Sequence, residues 1–558
     1  MDTGRLLARA AGAARPAGVG LAAALGGGLL YVPDGVAQGA GPQAPLSYLL
    51  AGVGAVCLAV PFAVVASGPF DERGPVYGPV ARVWGSRSLG GLAAWAALAG
   101  YVGLLGLLAE WLGRLAPLPA STRAYVEGAA GGPSGPAALL GVAPPGDAAA
   151  DALAVAVCVL ALGVHLLGRR RATVAAAVPA WGVVVGVGAL LLAAFLPGVG
   201  EFVPGNFDPL YPTSGLRTAP VRSLAGGGAA ALFAFVGVEV AAYAVPKPDA
   251  PATRESAPEG DDASGTAAEP RPADVAPVVA AAVAAALVTL TALVGLGVID
   301  WTRLTLADVP AADAVGAYLP VDPVALAVVV SVVAGVGAVV ALGAAAADTL
   351  VGLAELCPPL ACGPDGPAVL PLAVVYGAAA VLAVADLVAP ALYAAVPGLV
   401  ASYLAVAGTV AAMPSRRPDL RAACRLPPTG RFVAPALAVA VVVAATLSGL
   451  ALTSDPATAL GLTLHRVALA VFEFELVSDP LGGVVPALLA WELVGVALLV
   501  VLRDYRAAAG VELAPLDRDE RGGGTPTEGN AADDGTEEAT DAERDCPPGG
   551  ADDPTPEP

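Results

Sequence analysis

The sequence predicts an all-α polytopic membrane protein with about 12 transmembrane helices, and three observations lead to that prediction. Hydrophobic residues make up 57% of the 558 residues, charged residues only 14%, and the mean hydropathy is +0.74. The apolar residues fall in about a dozen blocks of roughly twenty, each long enough to cross a hydrocarbon core of about 30 Å as a helix. This composition excludes a soluble enzyme. The net charge of −20 excludes a nucleic-acid partner, because binding phosphates requires a positive surface.

Twelve spans are predicted in chain order. They cover residues 17–38, 44–66, 89–113, 149–167, 173–197, 223–245, 274–299, 322–346, 368–388, 390–413, 432–453 and 483–502. With both termini cytoplasmic, the inside segments up to Arg506 hold 19 Lys and Arg residues, whereas the outside loops hold six. Because cytoplasmic loops of membrane proteins carry the excess of Lys and Arg, this asymmetry predicts a multi-pass plasma-membrane protein with both termini inside.

The spans fall into two groups separated by a polar connector. The predicted regions are a cytoplasmic N-terminus (1–16), helices one to six (17–245), an acidic Pro-rich cytoplasmic connector (246–273), helices seven to twelve (274–502) and a disordered acidic cytoplasmic tail (503–558). Residues 457–477 are apolar at both ends but carry His465, Arg466, Glu473 and Glu475. Because a central Arg is costly in a membrane, we expect this segment to be an interfacial helix on the outside.

The sequence offers few residues that could carry out catalysis or bind a metal or cofactor. The chain has no P-loop, no GxSxG and no HExxH pattern, and its two His residues lie far apart. The six Cys are expected to be free thiols, and no cofactor is predicted. A membrane enzyme would be expected to cluster His, Cys or paired carboxylates, and the sequence shows no such cluster. Glu239 and Glu492 are the most deeply placed carboxylates in the predicted spans, so each must face the protein interior, either neutral or partnered.

Glycine interrupts two of the predicted spans. Gly26, Gly27 and Gly28 lie about ten residues into the first span, and the sixth span carries Gly226–Gly228 at its start and Gly237 in its body. Glycine in membrane helices usually serves close packing. A pair of glycine-interrupted spans in corresponding positions of two halves, however, is typical of a transporter binding site.

Several of these segments resemble the amino acid, polyamine and organocation transporters, which have the leucine-transporter fold. The similar segments are LGGGLLYVP at 25–33, VPFAVVASGPFDERGPVYGPVARVWG at 60–85, LGGLAAWAALAGYVGL at 89–104, NFDP at 206–209 and FAFVGVEVA at 233–241. The likeness covers about residues 18–247. It departs from the family at Val64, where many members have Glu, in a fifth helix without Lys, and after the eighth helix, where the usual Arg and Tyr are missing.

The resemblance implies five-plus-five inverted repeats and two further helices, with helices one and six broken. It implies a secondary active transporter (permease) that moves a small amino acid or related amine by alternating access. Backbone groups of Gly26, Gly27 and Gly28 would bind the substrate carboxylate. Carbonyls near Phe233 and Val236 would hold the amine. The same resemblance implies that Gly237 lets helix six unwind and that Phe233 is an aromatic gate.

The sequence leaves open the role of Glu239, the coupling ion and an alternative function. Glu239 follows Gly237 by two residues, so it either couples a proton to transport or simply bonds a neighbouring helix or an unwound backbone N–H. The coupling ion is H⁺ or Na⁺. The alternative function is a non-transporting sensor or channel-like relative with the same fold, although a channel would line a continuous pore with polar residues. The expected partners are the small-molecule substrate and the lipid bilayer.

Overall fold

The computed structural model describes most of the predicted spans. The described residues are 3–28, 40–70, 74–115, 148–200, 202–208, 231–245, 271–304, 310–354, 356, 369–426, 435 and 480–509. Most of the connector, the span 432–453 apart from Pro435, the predicted interfacial helix 457–477 and the acidic tail beyond residue 509 lie outside them.

The described residues form helices and turns, with no strand among them. The α-helices are α1 Thr3–Gly28, α2 Ala44–Ala66, α3 Tyr77–Trp84, α4 Arg87–Leu115, α5 Ala148–Leu166, α6 Arg169–Ala193, α7 Val240–Tyr243, α8 Ala276–Val298, α9 Trp301–Leu304, α10 Pro310–Tyr318, α11 Pro323–Ala354, α12 Val369–Val384, α13 Val388–Arg416, α14 Pro418–Ala423 and α15 Pro480–Ala509. Short 3₁₀ turns are Gly41–Gln43, Pro204–Phe207, Leu232–Phe235 and Pro272–Val275. Local sequence explains several boundaries: α2 has a proline in its first turn, and α3 ends at Gly85, whose φ of 63° is left-handed.

Seven helices in the described residues are long and apolar enough to cross a membrane. They are Gly41–Ala66, Arg87–Arg114, Ala148–Leu166, Arg169–Ala193, Pro272–Val298, Ala325–Ala354 and Gly398–Arg416. On α5 and α6, large apolar side chains are exposed, for example Leu160 at 70% and Val185 at 68%. Long apolar helices with bare apolar faces are the architecture of a multi-pass helical membrane protein, which confirms the predicted class.

Some predicted boundaries differ from the structure. Helix α1 begins at Thr3 rather than at residue 17, because the Ala-, Leu- and Arg-rich residues before the first apolar run favour a helix. Helix α11 continues past residue 346 to Ala354, because the extension is rich in alanine and carries a single charge, Asp348. The described part of the sixth span, residues 231–245, is not a continuous α-helix.

Small residues set the distances between the helices. Gly103 on α4 faces Ala395 on α13, and a Cβ at this glycine would lie 2.6 Å from the alanine methyl group. Gly100 faces Leu399 in the same interface, with no room for a side chain. Because lipid is as apolar as the helix surfaces, such close backbone packing is a main source of helix association in a membrane.

Two helices occupy central positions in the bundle. Helix α4 contacts α5, α11, α12 and α13, and helix α1 contacts α6, α8, α11 and the segment 231–245. The segment 231–245 also contacts α2, α8 and α11. It therefore lies among the long helices rather than on the surface of the bundle.

Candidate functional site

The candidate site is built around the segment 231–245. The chain forms a 3₁₀ turn over Leu232–Phe235, an irregular turn over residues 236–239 and the single helical turn α7. Gly237 has a φ of 106°, a conformation that residues with a side chain rarely adopt. The interruption of the helix at this position therefore depends on glycine.

Helix α1 crosses this segment in close contact. A Cβ at Gly237 would lie 2.8 Å from the Cβ of Ala23, and a Cβ at Gly20 would lie 2.7 Å from the carbonyl oxygen of Val238. Real Cβ atoms do not approach other atoms this closely. Glycine on both partners thus allows the backbone of α1 to lie directly against the irregular turn.

The glycine run predicted to bind a carboxylate lies at the end of α1. Gly26, Gly27 and Gly28 are the last three residues of α1 that the structure describes. Gly26 is buried against Ala338 of α11, and a side chain there would collide with that alanine. Close packing therefore explains Gly26. Residues 29–39, which follow the run, lie outside the described residues.

The residues predicted to hold the amine are also in the irregular segment. The backbone of Phe233 belongs to the 3₁₀ turn, while its side chain lies outside the described part of the structure. Val236 is half-buried and packs against the core. The structure therefore brings Val236, Gly237 and the backbone of Phe233 into one turn beside α1.

Glu239 is 1% exposed and lies at the base of this turn. Its Oε2 accepts a hydrogen bond of 2.9 Å from the backbone N–H of Gly237. This bond to an unwound backbone N–H is the structural role that the sequence left open for Glu239. The other carboxyl oxygen, Oε1, is buried and makes no hydrogen bond among the described residues.

Two tyrosines from separate helices face the Glu239 carboxyl group. They are Tyr101 of α4 and Tyr403 of α13, and their hydroxyl groups are buried and make no hydrogen bond of normal geometry among the described residues. Three elements, the segment 231–245, α4 and α13, therefore bring polar groups to one buried point. Buried polar groups without hydrogen bonds of normal geometry are costly, so this cluster is a candidate for a functional role.

A second polar layer lies one helical turn beyond Glu239. The Tyr243 hydroxyl is 2.8 Å from Oγ1 of Thr349 on α11, and Thr349 donates in turn to the Ala345 carbonyl. Tyr243 is thus the donor to Thr349. Its own carbonyl oxygen accepts a 2.8 Å hydrogen bond from Arg169 of α6, and Arg169 also forms a 2.9 Å ion pair with Asp348 of α11.

A small cavity opens beside this layer. It has a volume of about 30 Å³, room for about two water molecules. Its wall is formed by α1, α5, α6, α7 and α11, with the polar side chains of His165, Arg169, Thr173, Tyr243 and Asp348. His165 is buried, and its Nε2 is 3.1 Å from the carbonyl oxygen of Val340.

Sequence reasoning did not identify the partners of Glu239 or the residues of this cavity. The charged residues of the spans do not point to Tyr101 and Tyr403, although a phenol inside a membrane is also a polar group. Thr349 and Asp348 were placed beyond the eighth span, and the true length of α11 brings them into the bundle. Glu492, the other deep carboxylate, lies half-buried on α15.

Two comparisons were made, with protein families and with curated proteins. No protein-family model matches the chain, and no curated protein matches it. Within the described ranges, no group of three or more His, Cys, Asp or Glu residues is arranged to hold a metal ion. Function is therefore inferred from the irregular turn at Gly237, from its neighbours and from the resemblance of the sequence.

Proposed function

We propose that this protein is a secondary active transporter of a small amino acid or related amine. The observation that carries the proposal is the irregular turn at Gly237, which lies inside the bundle against the glycine-rich end of α1. Broken helices expose backbone N–H and C=O groups at membrane depth, and such groups can bind the two charged ends of a zwitterion. A purely structural bundle has no need for this costly arrangement.

Reciprocal contacts support the proposed five-plus-five repeat. If α1, α2, α4, α5 and α6 form the first repeat, the second consists of the segment 231–245, α8, α11, α12 and α13. Each of the first four elements then contacts its counterpart: α1 the segment 231–245, α2 helix α8, α4 helix α11 and α5 helix α12. A two-fold axis in the membrane plane relates inverted repeats of transporters in this way. The span 432–453 and α15 would be the two additional helices of a twelve-span protein.

In this proposal the substrate lies between the end of α1 and the turn 232–237. Backbone groups of Gly26, Gly27 and Gly28 bind the carboxylate, and carbonyls near Phe233 and Val236 bind the amine. Glu239 lies beside this site, where its carboxyl group accepts the hydrogen bond from the backbone N–H of Gly237. Its neighbours Tyr101 and Tyr403 belong to other helices, so separation of these groups accompanies opening of the site. Phe233 is the proposed gate, and H⁺ or Na⁺ is the coupling ion.

The proposed location is the plasma membrane with both termini cytoplasmic. The charge asymmetry of the loops supports this orientation. It places the Arg169 end of α6 and the cavity beside it on the cytoplasmic side.

Uptake of labelled amino acids and amines into proteoliposomes tests the proposal. We expect accumulation of at least one substrate, loss of binding in Gly27→Val, and loss of the dependence on an imposed pH gradient in Glu239→Gln with binding retained. A valine would place a branched side chain where the backbone must approach the carboxylate, whereas glutamine keeps most hydrogen bonds but cannot carry a proton. Glu492→Gln is the matched control, because it changes a half-buried carboxyl group on another helix, α15.

Three results separate the alternatives. Binding without accumulation under any gradient would favour the sensor, and passive flux without saturation would favour the channel-like relative. If Glu239→Gln still concentrates substrate under a proton gradient alone, Glu239 has only the structural role that its bond to Gly237 shows.

A further inference from the structure

The cavity beside Arg169 contains a titratable group that the proposed transport site does not use. His165 lies in the last turn of α5 and is one of only two histidines in the chain. It is 7% exposed, yet it lines a cavity large enough for about two water molecules. Imidazole is the side chain whose ordinary titration lies nearest neutral pH, so His165 is the group in this cavity best suited to take up a proton.

The hydrogen bond of His165 defines which ring atom takes the proton. Nε2 is 3.1 Å from the carbonyl oxygen of Val340. Because a carbonyl oxygen can only accept, Nε2 carries the hydrogen and Nδ1 is the free acceptor of the neutral ring. A proton from water would therefore bind at Nδ1 and leave the bond to Val340 in place.

Charged groups on neighbouring elements surround this position. Asp348 of α11 and Arg169 of α6 line the same cavity, together with the aromatic Tyr243. Tyr376 of α12 is a further titratable neighbour, with its ring centre 5.9 Å from that of His165. On α4, Glu110 interacts with the opposite end of α5, near Asp151, and does not face the cavity.

Arg169 is the group that a new positive charge would disturb. It holds the segment 231–245 at one point, by its bond to the Tyr243 carbonyl, and holds α11 at another, through Asp348. A protonated His165 would repel Arg169 and compete with it for Asp348, since all three line one small cavity. The bond to Tyr243 connects this event to the turn that carries Glu239.

We infer that His165 is a proton-binding site whose protonation at Nδ1 releases Arg169 from Asp348 and Tyr243 and so opens this end of the bundle. The ligand is a proton delivered through water in the cavity. The release of Arg169 does not depend on transport, whereas a part for it in a transport cycle rests on the proposed function.

The first experiment measures proton uptake directly. In a His465→Gln background His165 is the only histidine, so NMR of protein labelled at the histidine ring reports its titration between pH 4.5 and 8. If that background does not fold, the difference between spectra of the wild type and His165→Gln gives the same signal. We expect a titrating signal that moves to lower pH in Asp348→Asn and to higher pH in Arg169→Gln. Thr173→Ala, an uncharged change in the same wall, leaves it unmoved.

The second experiment measures opening. A cysteine replaces Ala344, which lines the cavity, in a chain without other cysteines, and its labelling by a small thiol reagent is followed at pH 5 and pH 8. His165→Gln with the same cysteine is the reference at each pH, because it corrects for the ionisation of the thiol and keeps a donor for Val340. We expect faster labelling at pH 5 relative to this reference, and equal labelling at pH 8.

These outcomes separate the inference from the proposed function. A histidine signal that does not titrate, shifts of the same sign in the two charge variants, or equal labelling with and without His165 would each overturn the inference. Absence of uptake in every form, with the titration and labelling as expected, would contradict the proposed transport function and leave the proton site standing.

Discussion

Two ion pairs that join the long helices differ mainly in their access to water. Arg425, after α13, pairs with Asp274 at the start of α8 at 2.7 Å, and their side chains are 10% and 0% exposed. Arg169 and Asp348 pair at 2.9 Å, but their side chains are 63% and 14% exposed. Coulomb attraction is strong and poorly screened in the first case and weak in the second. We name the first pair the buried tie and the second the exposed latch.

The surroundings of the buried tie strengthen this difference. Asp274 also accepts a 2.8 Å hydrogen bond from the backbone N–H of Arg271. The backbone N–H groups of Arg425 and Leu426 donate hydrogen bonds to Ser67, at the end of α2. Hydrogen bonding to Asp274 raises the pKa of Arg425, so this guanidinium stays charged at every working pH. The comparison indicates that the contact between α8 and the chain after α13 is held more firmly by its ion pair than the contact between α6 and α11.

Loss of the buried tie should have the largest effect on stability. Arg425→Ala leaves the carboxylate of Asp274 buried without its cation, a change that typically costs about 3–5 kcal/mol. Thermal unfolding in detergent measures the loss, and Arg421→Ala, an exposed arginine four residues earlier, is the control. A loss as small as that of the control would mean that water reaches Asp274 and that the comparison is wrong.

Loss of the exposed latch should have a smaller effect. Asp348→Asn should lower the free energy of unfolding by no more than about 1 kcal/mol, because Arg169 is largely solvated and keeps its bond to the Tyr243 carbonyl. The deficit should shrink further in high salt, which screens exposed pairs and hardly affects buried ones. Unfolding of the wild type and the variant at low and high salt measures this. A deficit equal to that of Arg425→Ala would remove the distinction between tie and latch.

Features that depend on residues close together in the chain could be predicted from the sequence. Apolar runs located α2, α4, α5 and α8 within a few residues, because length and hydropathy alone decide whether a segment spans a membrane. Gly237 was predicted to be a point of unwinding, and the structure has an irregular turn there with a positive φ.

The partners across the bundle could not be predicted in this way. Glu239, Tyr101 and Tyr403 are far apart in the chain, and only the packing of three elements brings them together. The same holds for both ion pairs: Arg169 and Arg425 each lie in an arginine group that the sequence explains by membrane orientation alone. Which arginine of such a group forms an ion pair depends on which helix ends lie next to each other in the fold.

The smallest effect is expected from an exposed ion pair between residues two positions apart, at the junction of α13 and α14. Arg417 donates to both carboxylate oxygens of Asp419 in the first turn of α14, and this hydrogen bonding lowers the pKa of Asp419 below its ordinary value. The pair therefore adds stability above the ordinary aspartate pKa, and the contribution is lost as the pH falls through the lowered value. Because the Asp419 side chain is 58% exposed, the contribution is below about 0.5 kcal/mol.

Asp419→Asn should thus unfold slightly more easily than the wild type at pH 7, and the difference should shrink at pH 3, below the ordinary aspartate pKa. Thermal unfolding of both proteins at the two pH values measures the difference, with Asp208→Asn as a control for an exposed carboxylate outside any ion pair in the described residues. If Asp419→Asn destabilised the protein as much as Arg425→Ala, local pairs would matter as much as pairs between helices. The order of tie, latch and local pair would then no longer follow from exposure to water.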